Sequence, residues 1–134
     1  MLKKTIKYTD PMNNKEYEQE FYFNLTAAEV AEIHLMDEIT AVSTSTDSRR
    51  IIPTFKKIIK AAIGERVGNQ FEKSDSYANW FIASNAYSEL FLEIFNSSTP
   101  EADVVSFIKA MLPVDMVRSI DEQTNQQALS VPSE

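Results

Sequence analysis

The chain of 134 residues contains no cysteine, only two glycines, one histidine and one tryptophan. Without cysteine there is no disulfide framework and no thiolate metal site. One histidine unsupported by cysteine cannot assemble a transition-metal centre, so His34 reads as structural or solvated. Two glycines and five prolines are too few for a turn-rich all-β sandwich. No apolar run approaches the roughly 20 residues of a membrane span, and the N-terminus MLKKTIKYTD lacks a signal-peptide core. Lysine and arginine total 13 against 20 acids, giving a net charge of −7. Binding nucleic acid without sequence preference needs cations to neutralise phosphates, and here they are few and scattered. The same acidity repels anionic membranes and favours solubility. Nucleic acid and membrane are therefore not expected partners.

What is present is an ordinary globular composition, 43% hydrophobic and 25% charged. A chain of this length buries one core without staples and is most simply one domain over residues 1–120, followed by a flexible tail at 121–134. The densest apolar stretch is residues 77–95. Tyr87, Leu90, Phe91, Ile94 and Phe95 repeat at helical spacing, with Glu89 and Glu93 opposite. The rest of the chain is organised around it.

Residues 3–8 and 16–24 read as a β-hairpin. Tyr17, Phe21 and Phe23 alternate with Glu16, Glu18 and Glu20, and Lys3, Lys4 and Lys7 are placed to face those glutamates. Asp10-Pro11-Met12-Asn13-Asn14 is turn chemistry. Thr26 and Glu29 form a capping box for a helix of about ten residues carrying Val30, Ile33 and Met36. The run 41–47, AVSTSTD, reads as a loop. Asp47 or Ser48 caps the next helix, whose stripe is Ile51, Ile52, Phe55, Ile58, Ile59 and Ala62. Pro53 belongs in its first turn and Gly64 at its C-cap. Residues 64–74 read as a connector with a turn at Gly68-Asn69. Ser74 or Asp75 starts a helix that breaks near Ser84-Asn85. Thr99-Pro100 opens the last helix, which Pro113 ends, and residues 115–120 form a short turn. The expectation is an α+β fold, mainly α: an N-terminal β-hairpin packed on a bundle of about four helices, with a disordered C-terminal tail.

The chemistry of catalysis is missing. The acid pairs lie on polar faces, where nothing separates their pKa values. No EF-hand loop, phosphate loop, nucleophile elbow or serine–lysine motif occurs. No catalytic residue, metal or cofactor is implied.

Three ordered blocks carry a resemblance. They are the strand-to-helix junction at 21–29, the helix and connector at 55–74 with Gly64-Glu65 and Phe71-Glu72-Lys73-Ser74, and Ala86-Tyr87-Ser88-Glu89-Leu90-Phe91. The closing Phe107-Ile108 and Met111-Leu112-Pro113 fit the same pattern. Over about residues 3–113 the chain resembles the tail assembly chaperones of long-tailed bacteriophages, in the shorter form encoded before the tape measure protein. That resemblance implies a non-enzymatic protein of the host cytoplasm, absent from the mature virion. It would coat the tape measure protein, keep it soluble and help recruit tail tube subunits. It would work beside a longer frameshifted form of itself, and self-association into a homo-oligomer fits a filamentous client. The expected partner-binding face combines Tyr17, Phe21 and Phe23 with Tyr87, Leu90, Phe91, Ile94 and Phe95. Two other readings remain open. One is an acidic adaptor or inhibitor domain of a mobile element that binds a basic protein. The other is a small enzyme with His34 in a pocket beside a carboxylate.

Overall fold

The computed structural model describes residues 1–44, 48–113 and 116–117. The chain opens with the expected hairpin, β1 (Leu2–Thr9) and β2 (Glu16–Phe23), paired antiparallel along all of both strands. Its turn follows from local side-chain chemistry. The Asp10 carboxylate accepts the Met12 N–H at 2.8 Å, the Asn13 amide oxygen accepts the Lys15 N–H at 2.9 Å, and Asn14 takes a left-handed φ of 55°. Alternation buries Ile6, Tyr8, Phe21 and Phe23 on one face and exposes Lys3, Lys7, Glu16, Glu18 and Glu20 on the other. The expected cross-strand ion pairs reduce to one. Only Lys7 stands opposite a glutamate, Glu18, at 3.8 Å, because the register sets Lys3 against Tyr22 and Lys4 against Phe21. Lys4 points to the core side instead and reaches Glu93 at 2.7 Å.

Burial splits the first expected helix in two. Thr26 and Glu29 do form the capping box of α1 (Ala27–Glu32), but the helix stops at Ile33. His34 adopts φ 52°, and its carbonyl then accepts the N–H groups of Asp37 and Glu38 to start α2 (Leu35–Thr44). The break rotates the second segment so that Leu35 and Ile39 enter the core, leaving Ile33 and Met36 half-buried. The helix also runs on through Thr44, so residues 41–44 are not loop; residues 45–47, including the proposed cap Asp47, lie outside the described residues. The Glu38 carboxylate ties α2 to the following helix, accepting from Lys57 at 3.0 Å and Thr54 at 3.3 Å.

Next, α3 (Ser48–Ala62) holds Pro53 inside the helix rather than in its first turn. Its stripe buries Ile51, Phe55, Ile58, Ile59 and Ala62. Gly64 is not a C-cap. The helix yields directly to β3 (Ile63–Val67), which turns at Gly68 (φ 63°) into β4 (Gln70–Glu72), so most of the expected connector is a second hairpin. Ile63 pairs with Phe23 and Gly64 with Tyr22, which extends the sheet to four strands in the order β1-β2-β3-β4. Gly64 is required by contact: a Cβ there would lie 2.5 Å from the Phe71 ring and 2.7 Å from the Glu72 carbonyl.

The remaining helices follow their punctuation. Ser74 caps α4 (Asp75–Ala83) by accepting the Tyr77 N–H at 3.1 Å. Ser84 separates it from α5 (Asn85–Phe95), and α6 (Pro100–Ala110) starts on Pro100. Thr99 holds the N-cap position without making a side-chain cap bond. Residues 116–117 are helical; the rest of the expected turn and the tail at 121–134 lie outside the described residues. The mainly α, α+β class holds, with six helices and a four-stranded sheet among the described residues. In the core, Phe21, Phe23, Phe55 and Phe81 are wholly buried and meet their ring neighbours in edge-on, tilted and, for Phe55 and Tyr87, stacked pairs 4.9–6.4 Å apart.

Candidate partner-binding surface

The sequence-selected residues divide between core and surface. Phe21 and Phe23 have no exposed area and pack on Phe81 at 4.9 and 5.8 Å. Leu90 and Ile94 are also buried, yet both line an open groove. Tyr17 is 40% exposed, and Tyr87, Phe91 and Phe95 are half-buried. In this conformation the eight residues therefore do not form one face.

Three apolar surfaces result. The first is the groove, about 390 Å³, between β1, α5 and α6. Leu2, Leu90, Ile94, Phe107 and Ala110 give it apolar walls, and Lys4, Glu93 and Asp103 mark a rim of both signs. The sequence places it because α5 has residues 90 and 94 one turn apart and α6 presents 103, 106, 107 and 110 at helical spacing. The second is a ladder along the neighbouring stripe of α5. Tyr87 and Phe91 stand 6.2 Å apart and Phe91 stacks on Phe95 at 4.5 Å, with Phe55 beneath them. The third lies at the far end of the hairpin. Tyr17 leans on Tyr8, Tyr8 on Phe21, Phe21 on Trp80 and Trp80 on Tyr77, each 5.6–6.4 Å from the next.

Trp80 is 45% exposed and was not picked out from the sequence. The available signal was its phase: it lies off the Ala78/Phe81 stripe that the helix buries. Exposed Leu92 was missed for the same reason.

Burial leaves its mark on the tyrosines. Tyr77 is pushed up to about 12 by burial, with the nearby Glu65 carboxylate adding to it. Burial also raises Tyr87, and raises Tyr8 with help from Asp10 and Tyr17. Each phenol therefore stays neutral at ordinary pH and acts as an apolar plate with one polar tip. Glu29 shows the opposite balance. Burial works to raise its carboxyl, but the Lys73 ammonium at 2.6 Å and the Thr26 N–H hold it below the usual range.

Catalytic geometry is not brought together by these elements. His34 sits exposed at the joint of α1 and α2, not in a pocket. Among the described residues no three His, Asp or Glu side chains converge, no polar side chain is fully buried, and no helix is long and apolar enough to cross a membrane.

No curated protein and no solved structure matches the chain. The sequence model of the phage tail assembly chaperones matches residues 1–134, its whole length. Matched by that family over residues 1–134, this α+β chain belongs to the phage tail assembly chaperones.

Proposed function

We propose that this chaperone binds the tape measure protein through amphipathic helices and keeps it soluble until tail tube subunits polymerise around it. The observation that carries the reading is the groove between β1, α5 and α6, flanked by the half-exposed Tyr87–Phe91–Phe95 ladder. An amphipathic helix docks by laying its apolar stripe into such a groove, with its charged flanks meeting a rim of both signs. A tape measure is long and presents many such stripes, so many copies held by modest contacts would coat it reversibly. Such a role makes and breaks no bond. It places the protein in the host cytoplasm and outside the finished virion, and its other partners would be the tail tube protein, a longer frameshifted form and further copies of itself.

The test is co-expression with the tape measure protein of the same phage. Wild-type chaperone should raise the soluble fraction of that protein and co-purify with it. Ala110 is exposed on the groove wall, so Ala110→Glu should abolish co-purification while leaving the fold intact by circular dichroism. Failure of the wild-type protein to co-purify or to change solubility would overturn the reading.

A further inference from the structure

The four-stranded sheet has an unpaired interior edge. β2 is bonded to β1 along all eight residues, but β3 accompanies it only at Tyr22 and Phe23 before turning away to pair with β4. Among the described residues, 16–21 have no strand on that side. The hydrogen-bond phase can be worked out. Asp10 N–H donates to Lys15 C=O at 2.9 Å, and in an antiparallel ladder bonded pairs recur at every second residue. Tyr8–Tyr17, Ile6–Gln19 and Lys4–Phe21 are therefore the bonded pairs of the hairpin. On the other side Asn24 N–H donates to Ala62 C=O at 3.0 Å, which makes Tyr22–Gly64 the bonded pair there. Both phases agree: the N–H and C=O groups of Glu16, Glu18 and Glu20 point out of the open edge.

The surroundings of that edge select an occupant. All three glutamates are exposed on the outer face of the sheet. Across the hairpin Glu16 and Glu20 face threonines, and only Glu18 has a lysine, 3.8 Å away and solvent-exposed. The Glu20 carboxylate and the Arg66 guanidinium both interact with the Tyr22 hydroxyl. On the inner face Tyr17 is exposed, and exposed Trp80 packs beside Phe21 of the same strand. The opposite edge, along β1, is flanked by α5, whose Asn85 amide already caps the Thr9 carbonyl at 2.7 Å. A long edge strand left open is a liability unless charge guards it. Here two copies of the same edge would set glutamates against glutamates, so self-pairing is disfavoured.

We propose that the β2 edge takes up an extended, basic segment of a partner protein as an added strand. Its backbone pairs with Glu16, Glu18 and Glu20. Lysines or arginines on its outer face meet those carboxylates, and its alternate apolar side chains rest on Tyr17 and Trp80. This site is separate from the groove and does not depend on what the groove binds.

The experiment uses the full-length protein and a capped peptide alternating lysine with valine, long enough to span Glu16 to Glu20. Amide exchange by NMR should slow at Glu16, Glu18 and Glu20 on saturation, and the single tryptophan should shift to shorter emission wavelength. Glu16→Lys/Glu20→Lys, at exposed positions, should weaken binding about tenfold at low salt, a sum of modest surface pairs. N-methylating the peptide on its pairing edge should weaken it by a similar factor without changing charge. Absence of binding, protection at Thr5 and Lys7 instead of the glutamates, or equal affinity of the N-methylated peptide would each overturn the proposal.

Discussion

Replacing Gly64 with alanine is the sharpest test of how the sheet is built. A Cβ at this position would lie 2.5 and 2.6 Å from two atoms of the Phe71 ring and 2.7 Å from the Glu72 carbonyl oxygen. Comfortable carbon contacts are roughly 3.5–4.0 Å, so the ring must retreat by about 1 Å. The ring is half-buried and can swing, but the carbonyl belongs to the three-residue strand β4 and moves only if the hairpin moves. Overpacking of this kind costs about 1–3 kcal/mol. Gly64 has an ordinary negative-φ backbone, so alanine also gains about 0.4–1 kcal/mol by restricting the unfolded chain. The net expectation is a loss of about 1–1.5 kcal/mol, or a fall in Tm of about 5 °C for a domain of this size. Urea melts followed by far-UV circular dichroism should show a lower midpoint with an unchanged slope. In a Phe71→Ala background the ring contact is gone, so Gly64→Ala should cost less there, with a coupling near 1 kcal/mol. If Gly64→Ala matched or exceeded the wild-type stability, or if the two substitutions were simply additive, the close approach of β4 to Gly64 would be wrong.

Four further expectations follow from the same fold. Thr26→Ala removes the hydroxyl that accepts the Glu29 N–H at 3.2 Å while keeping the Thr26 backbone N–H bond to the Glu29 carboxylate, and should cost about 1 kcal/mol by chemical denaturation. Because the Glu29 carboxyl is held below its ordinary 4.5, its contribution is complete above that pH and is lost on acidification through the lower folded value. The stability gap between wild type and Glu29→Gln should therefore be constant near neutrality and shrink below about pH 4.5; a gap that widened on acidification would contradict the Lys73 pairing. Tyr77 is raised from 10.0 to about 12, so the folded state holds its phenolic proton more tightly than the unfolded state. Stability should be full below pH 10 and fall as pH rises toward about 12, and Tyr77→Phe should flatten that loss in alkaline melts. Pro53 lies inside α3 and forgoes one helical bond, so Pro53→Ala should raise stability by about 1–2 kcal/mol after the opposing unfolded-state entropy.

Features written locally were legible from the residues alone. The Asp10–Asn14 turn of the hairpin, the Thr26/Glu29 box, the Ser74 cap and the break at Ser84 each rest on side chains bonding within a few residues, and the Pro100 start rests on proline at the first helical position. The stripe of α5 was equally plain as a helical face, although Leu90 and Ile94, expected on the partner-binding face, are buried. The family resemblance was carried by these same blocks.

Everything that differed depended on contacts between residues far apart in the chain. The helix breaks at His34 because Leu35 and Ile39 must both reach a core supplied by other elements. Ile63 becomes a strand residue because Phe23 offers it a partner, and Gly64 is there for the Phe71 ring, not for a helix end. Sequence could name the large apolar side chains but not rank their exposure: Phe21 and Trp80 are neighbours, one sealed and the other nearly half open. Local bonding determined where elements start and stop; only packing decided which aromatic rings were left for a partner, because an apolar side chain is drawn equally to a core and to an interface.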